Sequence, residues 1–185
     1  MSAEIAHLWL VTPLLIPLGS AVLALGGGRW PRIQRGLSLA GAVALLAVNL
    51  WLFTRVLDGR ILTLQVGDWP APFGITLVVD LLSASLLVTV GVVGVCVNLF
   101  SLTDPEVQRE GFTFHPLFHL QLMGVCGIFV TGDLFNFYVW LELTLVASFV
   151  LLVMGGRRGQ IRSAVQYLAL NLLSCTLFLC AIAIL

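Results

Sequence analysis

The sequence predicts an all-α integral membrane protein, a bundle of six transmembrane helices with a short surface hairpin between the second and the third. Hydrophobic residues make up 59% of the 185 residues and charged residues only 10%, and the mean hydropathy is +1.07. A soluble domain of this size does not have such a composition. The apolar residues also form six long runs, each close to the roughly 20 residues that span a bilayer as a helix. We therefore interpret residues 1–185 as a single membrane domain.

The six runs are separated by short polar segments. They cover residues 8–25, 37–53, 81–100, 112–130, 134–154 and 164–185. Between the second and third runs, Leu62, Leu64 and Val66 alternate with polar residues, which is the period of a strand, and residues 67–70 are typical of a turn. This pattern predicts a hairpin on the membrane surface. After the third run, Asp104 and Pro105 are typical of the start of a short helical turn.

The arginines predict the orientation of the chain. The chain has nine basic residues, all of them Arg. Seven lie in the first, third and fifth loops: Arg29, Arg32, Arg35, Arg109, Arg157, Arg158 and Arg162. Loops rich in Lys and Arg remain in the cytoplasm. We therefore expect both termini of this segment, the hairpin and the loop that contains Asp133 to face the outside.

Glu142 is the strongest candidate for a functional residue. It follows Leu134 by eight residues, so it lies roughly 12 Å into the fifth span, close to the bilayer midplane. An ionised carboxylate costs several kcal/mol there unless it finds a proton or a partner, and such acids usually mark ion or proton paths. The alternative is a neutral Glu142 that hydrogen-bonds a neighbouring helix. Because the chain has no Lys, we favour a partner from outside this segment.

Three other polar residues are candidates for a proton path on the outer side. Tyr138 lies one helical turn before Glu142 on the same face, where its hydroxyl can hydrogen-bond the carboxylate or simply pack in the bundle. Asp133 precedes the fifth span and is a candidate for the outer mouth of the path. Asp80 precedes the third span, where it serves either as an N-cap or as a proton relay.

His115 and His119 are the candidates on the cytoplasmic side. They are four residues apart at the start of the fourth span and so share one helix face. Three interpretations remain open: interfacial histidines beside Pro116, a site that passes protons, and a metal site that lacks a visible third ligand.

The remaining residues exclude several functions. The formal net charge of zero does not favour nucleic acid, and there is no Walker loop and no dinucleotide-binding fingerprint. The four Cys residues lie in apolar runs, which predicts small buried residues and not a disulfide framework. We expect no cofactor and no catalytic constellation. Neutral polar residues in the last two spans, including Ser148, Asn171 and Ser174, are of the kind that hydrogen-bond across helices.

Four stretches together resemble one family of membrane proteins. They are residues 67–75 with 80–83, residues 131–136, Glu142, and residues 166–174. In combination they resemble the D-type subunit of the multisubunit Mrp-type sodium/proton antiporters and, less closely, the antiporter-like subunits of respiratory complex I and of membrane-bound hydrogenases. The likeness runs from about residue 65 to the end and more loosely before that.

The resemblance implies a larger protein and a role for Glu142. Members of the family have fourteen membrane helices with two inverted repeats, and an acid on the fifth helix pairs with a lysine on the seventh in proton transfer. By its position, Glu142 matches that acid. This chain ends at the sixth helix, and Gln166 stands where relatives often have Lys beside the Tyr. The segment thus matches the N-terminal six helices of an antiporter-like subunit.

The resemblance also sets out the functional alternatives. The first is a proton-translocating subunit of a sodium/proton antiporter complex, a secondary transporter and not an enzyme, in the plasma membrane of a prokaryote. Its partners would be the remaining helices of the subunit, other subunits, protons and sodium ions. The second is a proton-pumping membrane subunit of complex I or a hydrogenase. The third is a helical scaffold without a role in transport.

Overall fold

The computed structural model describes residues 9–69, 74–104 and 111–184, and within them it has the six predicted helices. A 3-10 turn at Trp9–Val11 leads into the first helix. The helices are α1 (Thr12–Gly26), α2 (Pro31–Val56), α3 (Leu81–Ser101), α4 (Gly111–Val130), α5 (Leu134–Val153) and α6 (Arg158–Ile184). All six are long and apolar enough to cross a membrane. The prediction of an all-α membrane bundle is confirmed.

Helices α2 and α6 begin earlier than their apolar runs. Pro31 occupies the first turn of α2, where its missing N–H costs no hydrogen bond. Arg32 and Arg35 therefore lie on the first turns of α2 and not in a loop, and Arg162 likewise lies near the start of α6. These arginines still lie at the end of the bundle that is predicted to face the cytoplasm. The expected helical turn at Pro105 and the loop residue Arg109 lie outside the described residues.

The hairpin between α2 and α3 is confirmed, but it is not only a surface element. Strand β1 (Leu62–Gln65) pairs antiparallel with β2 (Thr76–Val79). In β2, Leu77 and Val79 are 2% and 0% exposed and belong to the main hydrophobic core. The N–H of Gly132 donates to the Thr76 carbonyl at 2.8 Å. The hairpin thus closes one end of the bundle and holds the turn between α4 and α5.

The helices pack in an order that leaves α5 and α6 at one edge. Helix α1 contacts α4 and α2, α2 contacts α3, and α4 contacts α5, whereas α6 packs mainly on α5. Half of the α4 span is buried, against 6% of the α6 span. The described core therefore lies among α1 to α4, with Glu142 of α5 near the more open edge.

Close helix contacts occur at glycines. A Cβ on Gly91 would lie 2.9 Å from the Leu46 Cα on α2. On α4, Gly124 contacts Thr144 of α5, and Gly127 contacts the Trp140 ring of α5. Because these positions lack a side chain, the helix backbones approach closely.

The predicted hydrogen bonds between helices form only in part. The Ser148 and Tyr167 hydroxyls lie 3.0 Å apart and link α5 to α6. In contrast, Asn171 and Ser174 bond the carbonyls of Tyr167 and Leu170, one turn earlier in α6 itself. No hydrogen bond of these two side chains to another helix is formed among the described residues, because the preceding turn of their own helix offers the nearest acceptor.

Candidate functional site

The two aspartates cap helices at the hairpin end of the bundle. Asp80 accepts a hydrogen bond of 2.7 Å from the Ser83 N–H at the start of α3. This backbone hydrogen bond holds the pKa of Asp80 below its ordinary value of 3.8, because it stabilises the charged carboxylate. Asp133 caps α5 in the same way through the Asn136 N–H at 2.5 Å. The N-cap interpretation of Asp80 is confirmed, and the outer-mouth candidate Asp133 is also a cap.

A cavity lies between the hairpin and α5. Its volume is about 470 Å³, and its walls include Leu64 and Gln65 of β1 and Asn136 and Trp140 of α5. The Asn136 amide donates to the Thr131 hydroxyl at 2.9 Å. One Asp133 oxygen, Oδ2, is buried and has no hydrogen-bond partner among the described residues. The hairpin end of α5 therefore holds a capping carboxylate, Asp133, and a cavity that is lined by Asn136 and Trp140.

Glu142 lies halfway along α5, where it meets two other polar groups. The carboxylate interacts with the Tyr138 hydroxyl one turn toward the hairpin end and with the Cys175 thiol of α6. Glu142 is partly buried, and Cys175 is 8% exposed. The structure thus brings together the predicted pair Tyr138 and Glu142, and adds a cysteine that sequence reasoning had assigned only a packing role.

No arginine of the described residues lies near this carboxylate. Those arginines lie at helix ends or in loops. On α6, Arg162 precedes Cys175 by thirteen residues, which separates them by about 20 Å along the helix. An acid in this position is stabilised in its charged form only if a cation comes from elsewhere.

The two histidines lie in a second polar cluster, which we name the histidine cluster: Ser38, Asn98, His115 and His119. The Ser38 Oγ lies 3.1 Å from the His115 Nδ1 and 3.0 Å from the His119 Nε2, and it donates to the Asn98 Oδ1 at 2.9 Å. All four side chains are at most 1% exposed. The predicted face shared by His115 and His119 therefore points at one hydroxyl of α2 and not at the membrane surface.

His119 is held by the backbone as well as by the hydroxyl. Its Nε2 also lies 3.1 Å from the Ser38 carbonyl oxygen. Since a carbonyl can only accept, a neutral His119 in this geometry carries its proton on Nε2 and a lone pair on Nδ1. That Nδ1 is buried and has no partner within the described ranges. The ring also packs on Gly41, where a Cβ would lie 3.3 Å from the His119 Cε1.

The histidine cluster and Glu142 are separate sites along the bundle. The contacts of Gly124 with Thr144 and of Gly127 with Trp140 place Glu142 level with residues 125 and 126 of α4. His119 lies about 10 Å from that level, toward the arginine-rich end. Among the described residues there is no group of three His, Cys, Asp or Glu side chains that could hold a metal ion.

Sequence reasoning missed three members of these sites: Ser38, Asn98 and Cys175. Asn98 interrupts the apolar run of α3, so its polarity was a signal. Ser38 and Cys175 had no such signal, since small residues of both kinds are common in membrane helices. Their importance is apparent only from their neighbours.

Six apolar helices that enclose buried polar groups define a multi-pass membrane protein. Two relatives support the predicted resemblance to the D-type antiporter subunits. The chain is 35% identical over 173 residues to the D-type subunit of a Na⁺/H⁺ antiporter of Alkalihalophilus pseudofirmus, covering 94% of this chain and 35% of the relative. It is 32% identical over 195 residues to the D-type subunit of a probable K⁺/H⁺ antiporter of Rhizobium meliloti, covering all of this chain and 35% of the relative. The chain thus spans about a third of the length of these curated relatives.

Solved structures share the fold. The Mrp complex from Dietzia sp. DQ12-45-1b contains a chain with a TM-score of 0.80 and 27% identity, matched over 95% of this chain and 34% of its own length. The membrane-bound sulfane sulfur reductase, an archaeal respiratory membrane complex, contains a chain with a TM-score of 0.87 and 23% identity, matched over 94% of this chain and 36% of its own length. No protein-family model matches the sequence. The resemblance to the D-type subunit of Mrp antiporters is confirmed.

Proposed function

We propose that this chain is the proton-translocating part of the D-type subunit of a cation/proton antiporter complex that exchanges Na⁺ for H⁺. The observation that carries the proposal is the position of Glu142 halfway along α5, beside Tyr138 and Cys175 and far from any arginine of the described residues. Such a carboxylate exchanges a proton when a neighbouring charge changes, because burial favours its neutral form and a nearby cation favours its charged form. Glu142 would be the switchable proton carrier.

The other candidate residues extend the proposed path toward both ends. At the outer end, Tyr138 meets the Glu142 carboxylate, Asp133 caps the start of α5, and Asp80 caps the start of α3 next to the hairpin. At the arginine-rich end, His115 and His119 would exchange protons with the cytoplasm. By the positive-inside rule this end is cytoplasmic, so that both termini of the segment face outside in a prokaryotic plasma membrane.

The proposed activity requires partners. The relatives are about three times as long as this chain, and α6 is covered mainly by α5. The remaining helices of the subunit would pack on this edge and bring the cation that Glu142 lacks, and other membrane subunits would complete the antiporter. In this proposal the chain is a secondary transporter subunit that holds no cofactor.

A second candidate is the proton-pumping, antiporter-like subunit of a redox-driven complex such as complex I or a membrane-bound hydrogenase. The observation in its favour is the shared fold with a chain of a respiratory membrane complex. The subunits that co-purify with this chain distinguish the two candidates. Small membrane subunits alone support an antiporter, whereas subunits with iron–sulfur clusters support a redox-driven pump.

The test of the carrier role is Glu142→Gln in the assembled complex, which keeps the shape of the side chain and removes its titratable proton. We expect loss of proton-coupled Na⁺ transport in everted vesicles while the complex still assembles. Glu142→Asp should retain part of the activity, because it keeps the acid and shortens its reach by one methylene. Transport with K⁺ in place of Na⁺ reports the cation specificity of the same preparations.

The matched control is Ser148→Ala on the same helix, which removes a hydroxyl that links α5 to Tyr167 but lies outside the proposed path. We expect it to transport at the rate of the wild type. An unchanged rate in Glu142→Gln would refute the carrier role and favour the scaffold interpretation.

A further inference from the structure

The histidine cluster contains a hydroxyl that bridges two imidazoles in the interior of the bundle. Ser38 comes from α2, His115 and His119 from α4, and Asn98 from α3. The two distances from the Ser38 Oγ to ring nitrogens, 3.1 Å to His115 and 3.0 Å to His119, are both within the range over which a proton is passed between heavy atoms. A hydroxyl can donate one proton and accept two, so it can serve both rings in turn.

We propose that His115, Ser38 and His119 form a proton relay across the α2–α4 interface, with Ser38 as the obligatory bridge and Asn98 as the residue that positions it. This proposal rests on the proposed function and extends it, since it names the bridge by which protons pass between the two histidines. His115 lies one turn closer to the arginine-rich end than His119, and Arg35 lies close enough to His115 to act on it through its charge. Protons from that end therefore reach His115 first.

Each passage through the relay conserves atoms and charge. A proton taken up at the His115 Nε2 makes that ring cationic, with its second proton on Nδ1. The His115 N–H bond at Nδ1 breaks as a new O–H bond forms at Ser38, and the original Ser38 O–H bond breaks as an N–H bond forms at the His119 Nε2. His115 is left neutral, Ser38 is again a hydroxyl, and His119 is cationic. For this step the accepting His119 starts with its single proton on Nδ1.

The resting geometry explains how the relay is held between passages. Ser38 donates to the Asn98 Oδ1 at 2.9 Å, so its proton points away from both rings. The His119 Nε2 proton then lies against the Ser38 carbonyl, 3.1 Å away. The conducting arrangement requires two changes: the Ser38 hydroxyl rotates from Asn98 toward His119, and His119 exchanges its Nε2 tautomer for the one with its proton on Nδ1. Asn98 is therefore a positioning residue, which acts through Ser38 and not on the transported proton.

The far side of His119 supplies a continuation of the path. Its Nδ1 is fully buried and has no hydrogen-bond partner in the described part of the chain. A buried ring nitrogen left free in this way costs stability, because it loses its hydrogen bond to water. In a relay this nitrogen is the atom that releases the proton toward the level of Glu142.

The experiment compares Ser38→Ala, which removes the bridge, with Ser38→Thr, which keeps a hydroxyl. In the assembled complex we expect Ser38→Ala to slow proton-coupled cation transport by on the order of tenfold or more, the scale of a lost proton-transfer group. Ser38→Thr should recover most of the rate. The matched control is Ser101→Ala, which removes a buried hydroxyl at the same end of the bundle that donates to the Asn98 carbonyl of its own helix. This variant should transport normally.

A double-mutant cycle separates a relay from a structural role. In a single-file relay, Ser38→Ala combined with His115→Asn should be no slower than the slower single variant, because either change already interrupts the path. Independent structural effects would multiply instead, and would reduce the amount of assembled complex in parallel. Multiplying effects, or a normal rate in Ser38→Ala, would overturn the relay. If Glu142→Gln abolishes transport while Ser38→Ala does not, the relay fails and the proposed function stands.

Discussion

Replacing Gly91 by alanine tests whether the closest contact between α2 and α3 determines the stability of the bundle. The added Cβ would lie 2.9 Å from the Leu46 Cα and 3.0 Å from its Cδ1. Because carbon atoms in contact are normally about 3.5–4.0 Å apart, one helix must move by roughly 0.6–1 Å. The Leu46 Cα is backbone, so no side-chain rotation relieves the clash. Helices α2 and α3 are in extensive contact, and separating them loosens many contacts at once.

The expected cost follows from two opposing effects. Overpacking of this kind costs about 1–3 kcal/mol. Alanine in place of glycine inside a helix gains about 0.5–1 kcal/mol, so we expect Gly91→Ala to lose about 1 kcal/mol of unfolding free energy, within bounds of about 0 and 2.5 kcal/mol. The control is Gly36→Ala on α2, where a Cβ would meet no atom within 4 Å. There only the helix gain applies, and stability should be unchanged or slightly higher.

The assay is thermal unfolding of the purified protein in detergent, followed by circular dichroism, with both variants measured beside the wild type. Gly91→Ala should unfold at a lower temperature than the wild type, and Gly36→Ala should not. Equal unfolding temperatures for all three proteins would refute the close approach of α2 and α3 at this point.

Two further predictions concern the cap of α3 and the orientation of the chain. Asp80→Ala should cost about 0.5–2 kcal/mol of unfolding free energy at neutral pH. Because the folded-state pKa of Asp80 is lowered from 3.8, the cap stabilises the protein above that pH, and this stabilisation is lost as the pH falls below it. In thermal unfolding, the difference in unfolding temperature between Asp80→Ala and the wild type should therefore shrink in acid. A gap independent of pH would contradict this. With Cys96 and Cys180 replaced by alanine, an impermeant maleimide applied to intact cells should label Asp58→Cys but not Gly159→Cys, and equal labelling would exclude the predicted orientation.

Local features of the sequence were sufficient for the helices and for part of each site. The length of each apolar run determines that a helix spans the membrane, and the helical period places Tyr138 and Glu142, or His115 and His119, on one face. The capping role of Asp80 also follows from its place just before an apolar run. These features depend on neighbours within about one helical turn, so a single sequence contains them.

The remaining features depend on which helices pack together. Ser38 meets Asn98 and His119 across separations of 60 and 81 residues, and Cys175 meets Glu142 only because α6 packs on α5. The sequence predicted a hairpin but not the position of its second strand, because Leu77 and Val79 of β2 are buried by the ends of the helices and not by a pattern of their own. The sequence by itself determined the spans and the faces of the helices. The tertiary structure decided which faces meet, because helix packing depends on the fit of small residues and side chains between helices that are distant in the chain.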